Sequence, residues 1–116
     1  MMVFIHTDWC TFCAAMENTT LQDPRVVELL TTKFYFIDLN AEKQEAIKVG
    51  EQTFRYKPTG GTTGLHELAE QLGTVEGTVS YPTLCFLTSA YEITFQYNQF
   101  IDAPDLVIVL EKLASS

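Results

Sequence analysis

Within the first 17 residues an apolar run, Val3-Phe4-Ile5-His6, gives way to Trp9-Cys10-Thr11-Phe12-Cys13 and then to Ala14-Ala15-Met16-Glu17; no other stretch restricts the fold as much. A short run of β-branched and aromatic residues predicts a buried strand, whereas Ala, Met and Glu favour helix. The two cysteines therefore fall where a strand becomes a helix. Unpaired N–H groups and the positive end of the helix dipole favour a thiolate at that point, which makes Cys10 the expected nucleophile. Cys13, three residues on, shares the same side of the first turn, with Cβ atoms about 5–6 Å apart. A modest adjustment closes the sulfur bridge, so Cys13 is the expected resolving thiol. A pair of this kind exchanges disulfides through a mixed disulfide, in either direction, using its own sulfur atoms and no cofactor.

Zinc ribbons use the same C-x-x-C spacing, but zinc wants two further ligands. The chain offers only Cys85, His6 and His66, with no second pair at finger spacing, so no metal is expected. Three cysteines are too few for a disulfide scaffold, and an odd number leaves a thiol over. Cys85, inside Thr83-Leu84-Cys85-Phe86-Leu87, reads as an inert buried thiol. His6 reads as a near-core residue at its strand end and His66 as a helix-surface residue. A net charge of -8, from 15 acidic and 7 basic residues, repels phosphate backbones and anionic lipid, so nucleic acid is not an expected partner. No apolar run approaches the roughly 18–20 residues that span a bilayer, and no membrane insertion or signal peptide is read from this chain. With 116 residues and 47% hydrophobic content the chain has material for one core, hence a single domain over 1–116.

Further along, Asp23-Pro24 supplies an N-cap and a first-turn proline to a helix with Val26, Val27, Leu29 and Leu30 available for the core. Phe34 to Leu39 has strand composition, and Glu42 to Lys48 is polar and helix-favouring. Phe54 to Gly64, with Lys57-Pro58-Thr59-Gly60-Gly61-Thr62-Thr63, reads as a surface loop. Leu65 to Leu72 restores a helical period, with Gly73 as its stop. Thr83 to Leu87 and Ile93 to Tyr97 predict an antiparallel hairpin. A last helix over about Pro104 to Leu113 turns Leu106, Val109, Leu110 and Leu113 inward. The order of elements predicts an α/β chain with a mixed four-stranded sheet and helices on both faces.

About seventy residues beyond the cysteines, Tyr81-Pro82-Thr83-Leu84 opens a second apolar strand. A proline there has no ladder N–H to give, so it suits the first strand position or a special turn, where a cis peptide bond is physically sensible. Taken together, Trp9-Cys10-Thr11-Phe12-Cys13 after one strand and Tyr81-Pro82-Thr83-Leu84 before another resemble the thioredoxin superfamily, over about residues 3–40 and 65–113. The resemblance implies a thioredoxin-like fold in which a cis Pro82 faces the cysteine pair and holds a groove where a substrate strand pairs with the backbone near Tyr81. Trp9, Thr11, Phe12, Tyr81 and Pro82 are then the groove residues. Met16-Glu17, Thr20-Leu21 and Asp23-Pro24-Arg25-Val26 are similar to the branch containing the C-terminal domain of the bacterial thiol:disulfide interchange protein DsbD. That branch implies a bacterial, extracytoplasmic home and a part in cell redox homeostasis.

The chain also departs from the family pattern. Members usually carry a strand and a helix before the cysteine strand, and their lack here predicts a reduced or trimmed domain. Thioredoxin has a buried aspartate six residues before its first cysteine, where this chain has Phe4. Glu17, one turn beyond Cys13, is the candidate proton relay, set against the plainer reading of a solvated helix glutamate. Thr11-Phe12 matches neither the Gly-Pro of thioredoxin nor the dipeptides of strong oxidants, which leaves the redox direction open. Residues 41–64 read as an insertion. The expected function is a thiol:disulfide oxidoreductase, a reductase or isomerase, acting on protein thiols or disulfides with a redox partner. The alternative is a redox-inactive protein-binding module with vestigial cysteines.

Overall fold

A computed structural model describes residues 1–60 and 63–115. Its central element is β1 (Met2–His6), buried along most of its length. A strand apolar at all but its last position belongs in the middle of a sheet, covered on both faces. β1 is flanked on one side by the parallel β2 (Phe36–Asn40), with Val3 opposite Ile37, and on the other by the antiparallel β9 (Thr83–Leu87), with Val3 opposite Cys85. β10 (Ile93–Tyr97) extends the sheet beyond β9, which gives the order β10-β9-β1-β2. This is the mixed four-stranded sheet expected from the sequence.

Strand alternation divides the interior in two. Met2 and Phe4 of β1, with Leu84 and Phe86 of β9, face a cluster that includes Cys13 and Met16 of α1 (Thr11–Asn18), Val26 and Leu30 of α2 (Pro24–Lys33), and Leu106 and Leu110 of α4 (Ala103–Ala114). Val3, Ile5, Cys85 and Leu87 face the other way, onto Leu39, Ala41 and the Ala69 and Leu72 side chains of α3 (Glu67–Gly73). Helices thus cover both faces. Asp23 caps α2 as expected, accepting the Arg25 N–H at 2.9 Å, with Pro24 in the first turn. The hydrogen bond from the Arg25 side chain, above all, holds the Asp23 carboxyl below its ordinary range. Asp102 caps α4 by accepting the Asp105 N–H at 3.1 Å. Of the four apolar residues offered by α2, Val27 is the one that turns outward. Among the described residues no helix is long and apolar enough to cross a membrane.

The middle of the chain differs from expectation. Residues 42–48 do not form a helix: Ile47–Val49 (β3) pairs with Gln52–Phe54 (β4) across a two-residue turn, Gly50-Glu51, with Gly50 at φ 62°. Pairing buries Phe54 opposite Ile47, a gain that outweighs the helix preference of a polar segment with nothing to pack. The stretch read as a loop forms a second hairpin, Tyr56–Gly60 (β5) with Thr63–His66 (β6), while Gly61 and Thr62 of that reading lie outside the described residues. Gly64 leaves room for the Tyr56 ring, since a Cβ would stand 2.0 Å from the Tyr56 hydroxyl and displace it. α3 begins at Glu67, two residues later than expected, and Gly73 is its last residue rather than its stop. His66 is not on the surface. It is fully buried as the N-cap of α3, where Nδ1 accepts the Leu68 N–H at 3.1 Å and Nε2 donates to the Glu45 carbonyl at 3.0 Å. A third small hairpin, β7 (Thr74–Val75) with β8 (Thr78–Val79), turns at Glu76-Gly77, both at positive φ.

Candidate functional site

The cysteine motif leaves β1 at its C-terminal end. Cys10 is the N-cap of α1, in extended conformation, and its Sγ accepts the Cys13 N–H at 3.1 Å. A sulfur in this place occupies the position where a capping oxygen ordinarily satisfies an orphan amide. Cys10 and Cys13 are joined as a disulfide, with Cα atoms 5.2 Å apart. Both are largely covered, at 7% and 1% exposure. The expectation that one helical turn would bring the two sulfurs together is met.

Antiparallel pairing brings the second motif to the same end of the sheet. Thr83 opens β9 opposite Ile5, so Tyr81 and Pro82, which precede it, lie beside the segment that runs from His6 to Cys10. The Tyr81-Pro82 peptide bond is cis and Pro82 is buried. Tyr81 packs against the cluster that holds both cysteines, and its ring meets that of Trp9 edge-on, with centroids 5.7 Å apart. Burial, and secondarily the charge of Glu42, push the Tyr81 hydroxyl above its ordinary range. Trp9 and Phe12 stand out at 65% and 64% exposure, and Thr11 is exposed between the two cysteines. Two residues that no sequence signal places here stand beside them. Glu42 accepts the Trp9 indole N–H at 3.1 Å, and Phe100, from the segment before α4, lies with its ring 6.5 Å from that of Phe12.

Glu17 is partly exposed, and its carboxylate lies 3.7 Å from Nδ1 of His6, whose other ring nitrogen contacts Asp38. His6 is therefore near the core at its strand end, as expected, and its ring stacks on Phe4 at 5.1 Å. Cys85 stands apart from the motif. It is fully buried in β9, and burial pushes its thiol up to about 11.

The fold has relatives. The chain is similar to a thioredoxin from Thermus thermophilus over 97% of its own length and 71% of that chain, with 21% identity and a TM-score of 0.64, a likeness in fold. No curated protein sequence matches the chain. Residues 1–114 match the family described as the thioredoxin-like domain. A mixed sheet of this order, a cysteine pair bonded at the mouth of the first helix and that near full-length match together make the chain a member of the thioredoxin-like domain family.

Proposed function

We propose that this protein is a thiol:disulfide oxidoreductase in which Cys10 is the nucleophile and Cys13 the resolving thiol. The observation that carries the reading is the Cys13 N–H directed at Cys10 Sγ at 3.1 Å, at the N-terminus of a helix, with the two sulfurs already bonded. When the pair is reduced, the same amide and the helix dipole stabilise negative charge on Cys10. The thiolate attacks one sulfur of a substrate disulfide and expels the other as a thiolate. Cys13 then loses its proton and attacks Cys10 Sγ, so the Cys10–Cys13 bond forms and the second substrate thiolate leaves. Two electrons pass from the pair to the substrate, and the reverse sequence oxidises a dithiol.

Trp9, Thr11, Phe12, Tyr81 and Pro82 form the substrate groove in this reading. Its support is the exposed Trp9 and Phe12 on either side of Cys10, and the contact of Trp9 with Tyr81 next to the cis proline. The partners are proteins carrying a thiol or a disulfide, and a redox partner that resets the pair. The hairpins that follow Ala41 contribute to partner choice, a proposal supported by the hydrogen bond that ties Glu42, at their start, to Trp9. A place in the DsbD-related branch rests on the resemblance of Met16-Glu17, Thr20-Leu21 and Asp23-Pro24-Arg25-Val26 alone.

Insulin reduction with dithiothreitol as donor tests the reading. The native protein is expected to accelerate it, and Cys13→Ser is expected to accumulate a mixed disulfide through Cys10 that mass spectrometry identifies. A native protein no faster than dithiothreitol, with Cys13→Ser trapping nothing, would make the chain a binding module with idle cysteines.

A further inference from the structure

The sheet carries a second concave site, at the end away from the cysteines. β1 and β2 begin there and β9 ends there. On the face turned to α3, the hairpin of β3 and β4 leans over these strand ends and leaves a pocket of about 200 Å³ between sheet, hairpin and helix. Its walls are core residues. Val3, Phe54, Leu72 and Leu87 are buried, and Ile37 and Leu68 pack against the cluster to which Val3, Leu72 and Leu87 belong. The cluster that holds Cys10 and Cys13 lies on the opposite face of the sheet, so this pocket is no part of the exchange site. Close-packed interiors leave few voids larger than a water molecule. An apolar cavity of about 150 Å³ stays dry and takes up benzene, so the space here has room for about six to ten heavy atoms.

The lining also says which ligands are refused. Among the described residues that line the pocket none has a charged side chain, and the Met1 ammonium is directed at the Leu87 carbonyl, to which it donates at 2.8 Å. An ion would enter without a partner and lose its hydration. The polar atoms come from the exposed side. Gln52 of β4 and Gln71 of α3 are both exposed, and each amide offers a donor and an acceptor. Tyr91 stands at the same opening, 58% exposed, with φ at 65°, a backbone region that strains a bulky residue. The turn holds it there. Its N–H donates to the Thr88 carbonyl at 3.0 Å, while the Thr88 hydroxyl accepts the N–H groups of Ala90 and Glu92, each at 3.2 Å. Backbone strain fixed by its surroundings is characteristic of ligand clamps.

We propose that this pocket binds a small neutral molecule, a single aromatic ring or a short aliphatic chain bearing one uncharged hydrogen-bonding group. The apolar body lies between Val3 of the sheet, Phe54 of the hairpin and Leu72 of α3, and the polar group meets the amides of Gln52 and Gln71. The site stands apart from the exchange reading, because it shares no residue with the cysteine motif or the groove beside it.

Benzyl alcohol and hexan-1-ol are suitable probes, with benzoate and hexanoate as their charged counterparts. In proton–nitrogen correlation spectra of the native protein, each alcohol is expected to give saturable shifts at the amides of Val3, Phe54, Leu68 and Leu72, with a Kd on the order of 1 mM or tighter. Trp9, Phe12 and Tyr81 should not move. The carboxylates should bind at least about tenfold more weakly. Val49→Trp, which fills the opening from the hairpin side, should weaken binding of both alcohols about tenfold or more. Replacing both glutamines, Gln52→Leu with Gln71→Leu, should weaken it about twofold to tenfold. No saturable shift up to the solubility limit of both alcohols overturns the proposal, as do saturable shifts that fall on Trp9, Phe12 and Tyr81 instead. Carboxylates that match the alcohols overturn the assignment of a neutral ligand. The native titration decides the matter by itself if Val49→Trp does not fold.

Discussion

Cys10 and Cys85 are the same residue in two places, and the difference between those places is the substance of this protein. β1 and β9 are neighbours in one sheet, and Cys85 lies opposite Val3 in its middle, sealed from solvent, with burial raising its thiol to about 11. Cys10 lies just past the end of β1, where the ladder stops and the unpaired amides of α1 begin. In the middle of the sheet every backbone group is already paired and a charge has nothing to meet; at the helix mouth an N–H is directed at the sulfur. In the proposed function, position relative to the end of a strand, rather than composition, separates an inert thiol from a reactive one.

The largest expected effect breaks the comparison at its active end. Cys10→Ser should abolish insulin reduction, on the order of a thousandfold or more, because the thiolate is the attacking group, whereas Cys85→Ala should retain turnover within about twofold. Equal losses in the two variants would erase the distinction between the sites. A smaller effect sharpens the inert end. Cys85 is expected to stay a thiol in the folded state up to about 11, above the ordinary range of an unfolded cysteine. A group raised on folding contributes fully below its unfolded value and loses that contribution as pH climbs to the folded one. Denaturant titrations should therefore show stability falling between about pH 9 and pH 11 by on the order of 2–3 kcal/mol from this group, and that part of the fall should be missing in Cys85→Ala. The smallest effect concerns the cap itself. Reduced Cys10→Ala should be about 0.5–2 kcal/mol less stable than reduced Cys10→Ser, which keeps an acceptor for the Cys13 amide.

The same contrast explains what could be read from the sequence. Elements governed by strong local rules were legible: β1 from its unbroken apolar run, the α2 start from Asp23-Pro24, the β9–β10 hairpin and α4 from their periodicity. The cysteine pair and its strand-to-helix setting were legible for the same reason. What was lost lies between Ala41 and Val79, where short hairpins are set by turn geometry and by packing on the sheet. Val49-Gly50-Glu51-Gln52 carried a glycine at the first turn position, a real hairpin signal, but the polar run before it spoke for helix. His66 could not be placed from its neighbours, since its burial comes from Glu45 and Leu68 closing on both ring nitrogens. At the site, Glu42 and Phe100 reach the motif from 33 residues away and from the far end of the chain, through tertiary contacts that no local pattern records.

The most direct test is the alkylation rate of each cysteine in the fully reduced native protein, followed by iodoacetamide labelling and peptide mass spectrometry between pH 5 and 9. Cys10 should be modified near pH 6 well ahead of a free thiol of pKa about 8.5, while Cys85 stays unlabelled until the chain unfolds. A Cys10 that labels only as pH approaches 8.5, in step with an ordinary thiol, would contradict the claim that the helix mouth makes this sulfur reactive.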